Sequence, residues 1–388
     1  MRRGLLNSAL AGMGTTIFAE MSALAVETGS VNLGQGFPDT DGPAEVARVA
    51  ADAVLSGLGN QYPPGAGIPE LRTAIAAHQK RFYGLDLDPE TEVLVTAGAT
   101  EAVAAAMLAL LEPGDEVIAL EPYYDSYAAC IAMAGARRVP VTLRAPLFRP
   151  DLDALRDAIT SRTRLILLNT PHNPTGMVAT AEELAVIAEL AIQHDLLVVT
   201  DEVYEHLVFE GAHIPIATLP GMRERTVTIS SGAKTFSFTG WKIGWVTGTP
   251  ELVTAVRTAK QFLTFVNGGP FQYAIAAGLA LPDAFYTDAA ASLRRKRDLL
   301  ADGLRSAGFD VFVPQGTYFI TTDIAALGEP DGLEFCRSLP RRCGVVAVPN
   351  VVFYDDRDAG RTHVRFAFCK RDEVLAEAAE RLGRLRAH

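Results

Sequence analysis

The chain has 388 residues, 49% of them hydrophobic, which suffices for a large buried core divided over two or three domains. Its 46 acidic against 35 basic side chains leave a formal charge of −11, which argues against a nucleic-acid or anionic-membrane surface but not against one local basic cleft. Cys130, Cys336, Cys343 and Cys369 form no CxxC pair and no His/Cys cluster has metal-ligand spacing, so no metal is expected and the thiols read as reduced ones in a cytoplasmic protein.

The opening MRRGLLNSALAGMG is basic, then mildly apolar. Asn7 interrupts the apolar part and no disulfide framework follows, so it reads as an ordinary N-terminus rather than a signal peptide. No run of 18 apolar residues appears, so no membrane span is expected. From about residue 92 to 248, short apolar strands alternate with amphipathic helices. The strand candidates are 92–97, 116–120, 165–169, 196–200, 226–230 and 245–249, with a helix over 181–194 among the intervening segments. Strands that are apolar throughout are covered on both faces, which predicts an open α/β layer architecture. Past residue 290 come a basic helix (291–308), short strands in YFITTD, GVVAV and HVRFAF, and a closing helix. These read as a smaller α+β domain. The expected division is an N-terminal segment 1–44 joining the small domain, a large domain 45–285 and a small C-terminal domain 286–388.

In open α/β sheets ligands bind beyond the carboxyl ends of the strands, so the residues that follow each strand carry the functional reading. After the first comes GATEA (98–102), small residues at a helix start where backbone N–H groups can approach a phosphate. EPYYDSY (121–127) follows the second and offers an aromatic ring, Tyr123 or Tyr124, to cover a flat ligand. TPHNPTG (170–176) supplies an amide in a proline-stiffened turn, and DEVYEHL (201–207) a carboxylate and a phenol. Ser231 and Lys234 follow the strand at 226–230, with Lys242 eight positions on. Each element alone has an ordinary structural explanation: a helix start, packing tyrosines, an N-cap, a surface lysine. Together they suit a flat pyridine carrying a phosphate, an aldehyde and a phenolic oxygen, which is pyridoxal 5′-phosphate held as a Schiff base.

Along its whole length the chain resembles the fold-type-I, class I/II aminotransferases. The resemblance is carried by NPTG (173–176), DEVYEHLVF (201–209), SSGAKTFSFTGWKIGW (230–245) and VRFAF (364–368). VNLGQGFPD (31–39) and NQYPPGAGIPELR (60–72) resemble the subgroup of kynurenine aminotransferases, cysteine-conjugate β-lyases and methionine aminotransferases, and most of all the N-succinyldiaminopimelate aminotransferases of amino-acid biosynthesis. The resemblance implies a large domain with a mostly parallel seven-stranded sheet flanked by helices, and an active-site-sharing homodimer. It implies that Lys234 holds the cofactor aldehyde and moves the proton, made partly neutral by the Schiff base and the nearby Lys242. Asp201 would pair with the pyridine nitrogen, Tyr204 and Asn173 with the ring oxygen, and Tyr124 would stack on the ring. Gly98, Ala99, Thr100, Ser231 and Lys242 would hold the phosphate, joined by Tyr62 from the neighbouring subunit. Arg365 would fork onto the substrate α-carboxylate, helped by Asn173 and the backbone at Gly36. The Asn173–Pro174 bond is expected to be cis, with Glu121–Pro122 a second candidate.

Kynurenine aminotransferases carry an aromatic where this chain has Thr100, and a Phe-His pair where it has Asn267-Gly268. Both changes remove rings and favour a longer, polar substrate, such as N-succinyl-L,L-diaminopimelate with glutamate and 2-oxoglutarate as recycling pair; Gly268 also has the plainer reading of a backbone turn. The competing activities are a cysteine-conjugate or cystathionine β-lyase and a broad-specificity methionine, glutamine or kynurenine-type aminotransferase. A synthase or oxidase on the same scaffold and a ligand-sensing domain are the remaining alternatives.

Overall fold

In the computed structural model, which describes residues 5–11, 13–14 and 16–387, the apolar runs lie side by side as strands. The reading of residues 1–14 as an ordinary N-terminus falls partly outside these positions. In chain order the strands are β1 (Val31–Asn32), β2 (Val93–Ala97), β3 (Glu116–Glu121), β4 (Arg137–Thr142), β5 (Thr163–Asn169), β6 (Leu197–Asp201), β7 (Thr226–Ser231) and β8 (Ile243–Thr247). They continue with β9 (Asp310–Phe312), β10 (Phe319–Asp323), β11 (Val345–Val346), β12 (Val348–Pro349) and β13 (His363–Ala367).

Seven strands form one sheet in the order β2-β8-β7-β6-β5-β3-β4. Only β8 runs antiparallel to its neighbours, β2 and β7. Val198, Val199, Val227 and Ile229 in its centre are fully buried, because helices cover both faces. One of these, Ala181–Gln193, begins at a capping box in which Thr180 and Glu183 each accept the other's backbone N–H. The strand pattern had no place for β4. Its sequence, RRVPVT, is a half-exposed edge strand beside β3, where Pro140 can lack an N–H and no apolar run is needed.

The C-terminal part forms a four-stranded antiparallel sheet in the order β12-β13-β10-β9. The N-terminal helix Ile17–Thr28 packs on it through Met21 and Ala25, and β1 pairs in parallel with β11. Helix Asp283–Ser306 runs through both parts: Tyr286 packs with Phe236 and Trp245, whereas Leu300 and Leu304 pack with Phe309 and Phe335. No helix among the described residues is long and apolar enough to cross a membrane.

Candidate active site

A cavity of about 400 Å³ opens where the carboxyl ends of β3, β5, β6 and β7 meet the C-terminal sheet. Of the residues singled out from sequence, it collects Gly36, Gly98, Ala99, Thr100, Tyr124 and Asn173, and also Asp201, Tyr204, Ser231, Lys234, Lys242 and Arg365. Tyr62 does not line it. It stands 83% exposed in an adjoining groove, its ring edge-on to Phe265 at 5.7 Å between centroids.

Lys234 sits on the short helix Gly232–Thr235 directly after β7. Its Nζ lies 5.8 Å from the Tyr318 ring centre and 6.0 Å from that of Tyr204. Burial is the main cause that holds its ammonium below the usual lysine range; Lys242 and Arg365 push the same way, while Cys369 and Asp201 oppose them. Sequence reasoning assigned this shift to the Schiff base and Lys242, but in the folded chain Lys242 is a secondary contributor. Cys369, which no motif pointed to, lies in this environment, its thiol pushed up to about 11 by burial.

Asp201 ends β6 and is 6% exposed. Burial raises its pKa, partly offset by the Tyr127 hydroxyl, which donates to Oδ2 at 2.6 Å, and by Val203 N–H, which donates to Oδ1 at 3.3 Å. A buried carboxylate this poorly compensated favours a cationic partner in the cavity. Tyr127 was missed because a phenol one helical turn past Tyr124 reads as packing. Asn169 was missed too: its amide donates to Asp201 O at 2.8 Å, and its Oδ1 accepts from Asn173 N–H at 2.8 Å. Asn173–Pro174 and Glu121–Pro122 are cis, as are Ala145–Pro146 and Thr170–Pro171.

Helix Gly98–Leu110 points its N-terminus into the cavity. Gly98 is left-handed at φ 74°, and a Cβ there would sit 3.2 Å from Lys242 Nζ, so the ammonium lies against the start of the helix. A Cβ on Gly244 would come within 2.6 Å of Gly98 backbone carbon, so β8 and the helix start pack backbone to backbone. Unpaired helix N–H groups and one ammonium form an anion cradle. Ser231 also braces the loop between β7 and β8: its hydroxyl donates to Ile243 O at 2.9 Å and accepts from Ala233 N–H at 3.1 Å. Of the two candidate rings, Tyr124 reaches the cavity. Tyr123 is buried under the Arg138 guanidinium, 4.9 Å from its ring centre.

Arg365 comes from β13 and is 1% exposed. Its Nη1 donates to Asn173 Oδ1 at 2.9 Å and its Nη2 to Gly34 O at 3.1 Å, and its carbon stacks 4.0 Å from the Phe319 ring centre. Burial brings its pKa down to about 10, and its Nε is buried without a partner. The guanidinium as a whole lines the cavity, and a buried, incompletely paired cation there suits an incoming carboxylate. The Gly36 carbonyl, for its part, accepts from the Tyr318 hydroxyl at 2.6 Å, and a Cβ there would lie 2.4 Å from the Phe319 ring.

The departures from the kynurenine pattern divide. Thr100 is exposed on the cavity wall. Asn267 lies outside it, in the groove with Tyr62, and its amide donates to Thr96 O and Lys242 O, both at 3.1 Å. Gly268 is the backbone turn: it adopts φ 49°, and a Cβ would meet Ile243 at 2.7 Å. The cavity also keeps rings that the sequence comparison did not count, Phe18 and Phe37.

The anion cradle, buried carboxylate, lysine of lowered pKa and guanidinium together match the chemistry of pyridoxal 5′-phosphate. Comparisons with known proteins agree. The family model for aminotransferase class I and II matches residues 28–382. A probable N-succinyldiaminopimelate aminotransferase of Mycobacterium tuberculosis is 55% identical over 379 residues, covering 95% of each chain. The solved structure of that organism's N-succinyldiaminopimelate aminotransferase superposes with a TM-score of 0.96, covering 98% of this chain and 100% of the other. The methionine aminotransferase of Escherichia coli is 40% identical, over 97% of this chain and 98% of its own. The chain belongs to the class I and II aminotransferases, pyridoxal 5′-phosphate enzymes.

Proposed function

We propose that this aminotransferase acts on N-succinyl-L,L-diaminopimelate, with glutamate and 2-oxoglutarate as recycling pair, in amino-acid biosynthesis. The observation that carries the reading is Arg365, a buried guanidinium lining the same cavity as Lys234 and Asp201. Bound pyridoxal 5′-phosphate supplies an electron sink for the substrate α-carbon. Arg365 orients the α-carboxylate, with Asn173 and the Gly36 segment beside it. Lys234, whose ammonium burial holds below the usual lysine range, would bind the cofactor aldehyde and serve as the base and acid that moves the substrate α-proton. Asp201 would pair with the pyridine nitrogen, Tyr204 and Asn173 with the ring oxygen, and Tyr124 would cover the ring. Gly98, Ala99, Thr100, Ser231 and Lys242 would hold the phosphate.

The division into segment 1–44, large domain 45–285 and small domain 286–388 is part of this reading. So is a homodimer: Tyr62, Phe262 and Phe265 are 83%, 82% and 51% exposed, and a second copy that covered them would bring Tyr62 to the neighbouring phosphate. Four unpaired, buried cysteines suit the cytoplasm.

The substrate is tested by competition in one vessel. N-succinyl-L,L-diaminopimelate is expected to win over kynurenine in kcat/KM, since Thr100 replaces an aromatic partner worth about 0.5–1.5 kcal/mol. Preference for kynurenine or phenylalanine would overturn the reading, and rapid pyruvate release from cystathionine would indicate the lyase instead.

The Asp201 assignment has its own check. Tyr127→Phe deletes a hydrogen bond to a charged group, worth about 1.5–3 kcal/mol, so kcat/KM is expected to fall roughly 10- to 100-fold. Steady-state kinetics at wild-type level would mean that Tyr127 does not position Asp201.

A further inference from the structure

Side chains alternate across a strand, so Ser231 faces the cavity and its neighbour Ser230 faces the opposite side of β7. There the Ser230 hydroxyl donates to Glu205 Oε1. Glu205 follows Tyr204 directly, is 4% exposed, and its second oxygen, Oε2, is buried without a partner. Two imidazoles share this space. His78 comes from helix Pro69–Tyr83 and is 2% exposed; His206 is half-buried. Their Nε2 atoms approach to 2.7 Å, and one donor atom each from His78, Glu205 and His206 lie within 4.8 Å of one another. None of the three lines the active-site cavity.

We infer that His78, Glu205 and His206 form a binding site for one divalent first-row metal ion, with zinc the best match. Two imidazoles and one carboxylate from three positions are a zinc-type donor set, and water completes the fourth place from the half-exposed His206 side. The Ser230 hydroxyl, which donates to Oε1, leaves Oε2 of Glu205 free to ligate. Without metal, one proton lies between the two Nε2 atoms. On binding it moves to Nδ1 of its own ring, which frees both Nε2 lone pairs for the metal. Metal–nitrogen distances of about 2.0–2.1 Å at a tetrahedral angle separate two ligand nitrogens by roughly 3.3 Å, so the rings must part by about 0.6 Å. The occupied site joins helix Pro69–Tyr83 to the segment that carries Asp201 and Tyr204, from the face away from the chemistry.

The experiment uses cofactor-loaded enzyme stripped with a chelator, then gel-filtered after incubation with Zn²⁺ or Co²⁺. One ion retained per chain is expected, together with a higher melting temperature and the intense visible bands of four-coordinate Co²⁺. His206→Gln is expected to weaken metal affinity at least about 100-fold while kcat stays at its wild-type value. No retention, equal retention by His206→Gln, or the faint spectrum of six-coordinate Co²⁺ would overturn the site. Should His206→Gln fail to fold, the wild-type Co²⁺ spectrum decides alone.

Discussion

Lys234→Ala is expected to abolish turnover while the chain still folds and can retain cofactor. General acid–base catalysis alone contributes about 10²–10⁴-fold, and the variant also loses the amine that binds the aldehyde, so a fall beyond about 10³-fold is expected. The structure offers no substitute. Lys242 Nζ lies against the helix start at Gly98. The Cys369 thiol is pushed up to about 11 and is protonated at neutral pH. Burial raises the phenols of Tyr204 and Tyr318 above their usual value. Of the amines and phenols around the cavity, Lys234 is the one that burial drives toward its neutral, basic form. Single-turnover and steady-state rates, with circular dichroism as the fold control, check this. A rate within about tenfold of wild type, roughly 1.4 kcal/mol of barrier, would sink the assignment.

Asp201→Asn is expected to separate activity from stability. The amide keeps the shape and can still accept from the Tyr127 hydroxyl, but it carries no charge to hold a proton on the pyridine nitrogen. Turnover is expected to fall by more than about 10²-fold, on the scale of a lost preorganised electrostatic contact. Stability of the cofactor-free protein moves the other way. The folded-state pKa of Asp201 is raised chiefly by burial, so between the unfolded and folded values the folded state binds more protons, and stability falls as pH rises through that window. At neutral pH the charged, buried carboxylate is a burden that Asn removes, and the cofactor-free variant is expected to melt at or above the wild-type temperature. Thermal melts of both cofactor-free proteins, read beside kcat, test the pair of effects. Full activity would end the pyridine role, and a lower melting temperature would end the account of the buried charge.

What the sequence determined is what nearest neighbours along the chain encode. The apolar runs of β5, β6 and β7 must be covered on both faces, which sets the layered sheet. Small, amide, acidic, phenolic and amine residues just past successive strand ends predict one ligand, because parallel strands bring those ends together. Choices between equivalent local patterns were decided by tertiary structure. Tyr123 and Tyr124 are adjacent in an identical local context, and only packing against Arg138 turns Tyr123 away from the cavity. β4 is a strand because it finds the free edge of β3, since RRVPVT has no pattern of its own to require it. Asn267 and Gly268 read as opened space in sequence; in the fold one ties its loop to Thr96 and Lys242, and the other turns the chain where a Cβ would strike Ile243. The neutral tendency of Lys234 is likewise a property of burial, which no residue carries alone. The same holds for His78, Glu205 and His206: spacing along the chain excluded a metal motif, and only the packing of helix Pro69–Tyr83 under β7 places their donor atoms together.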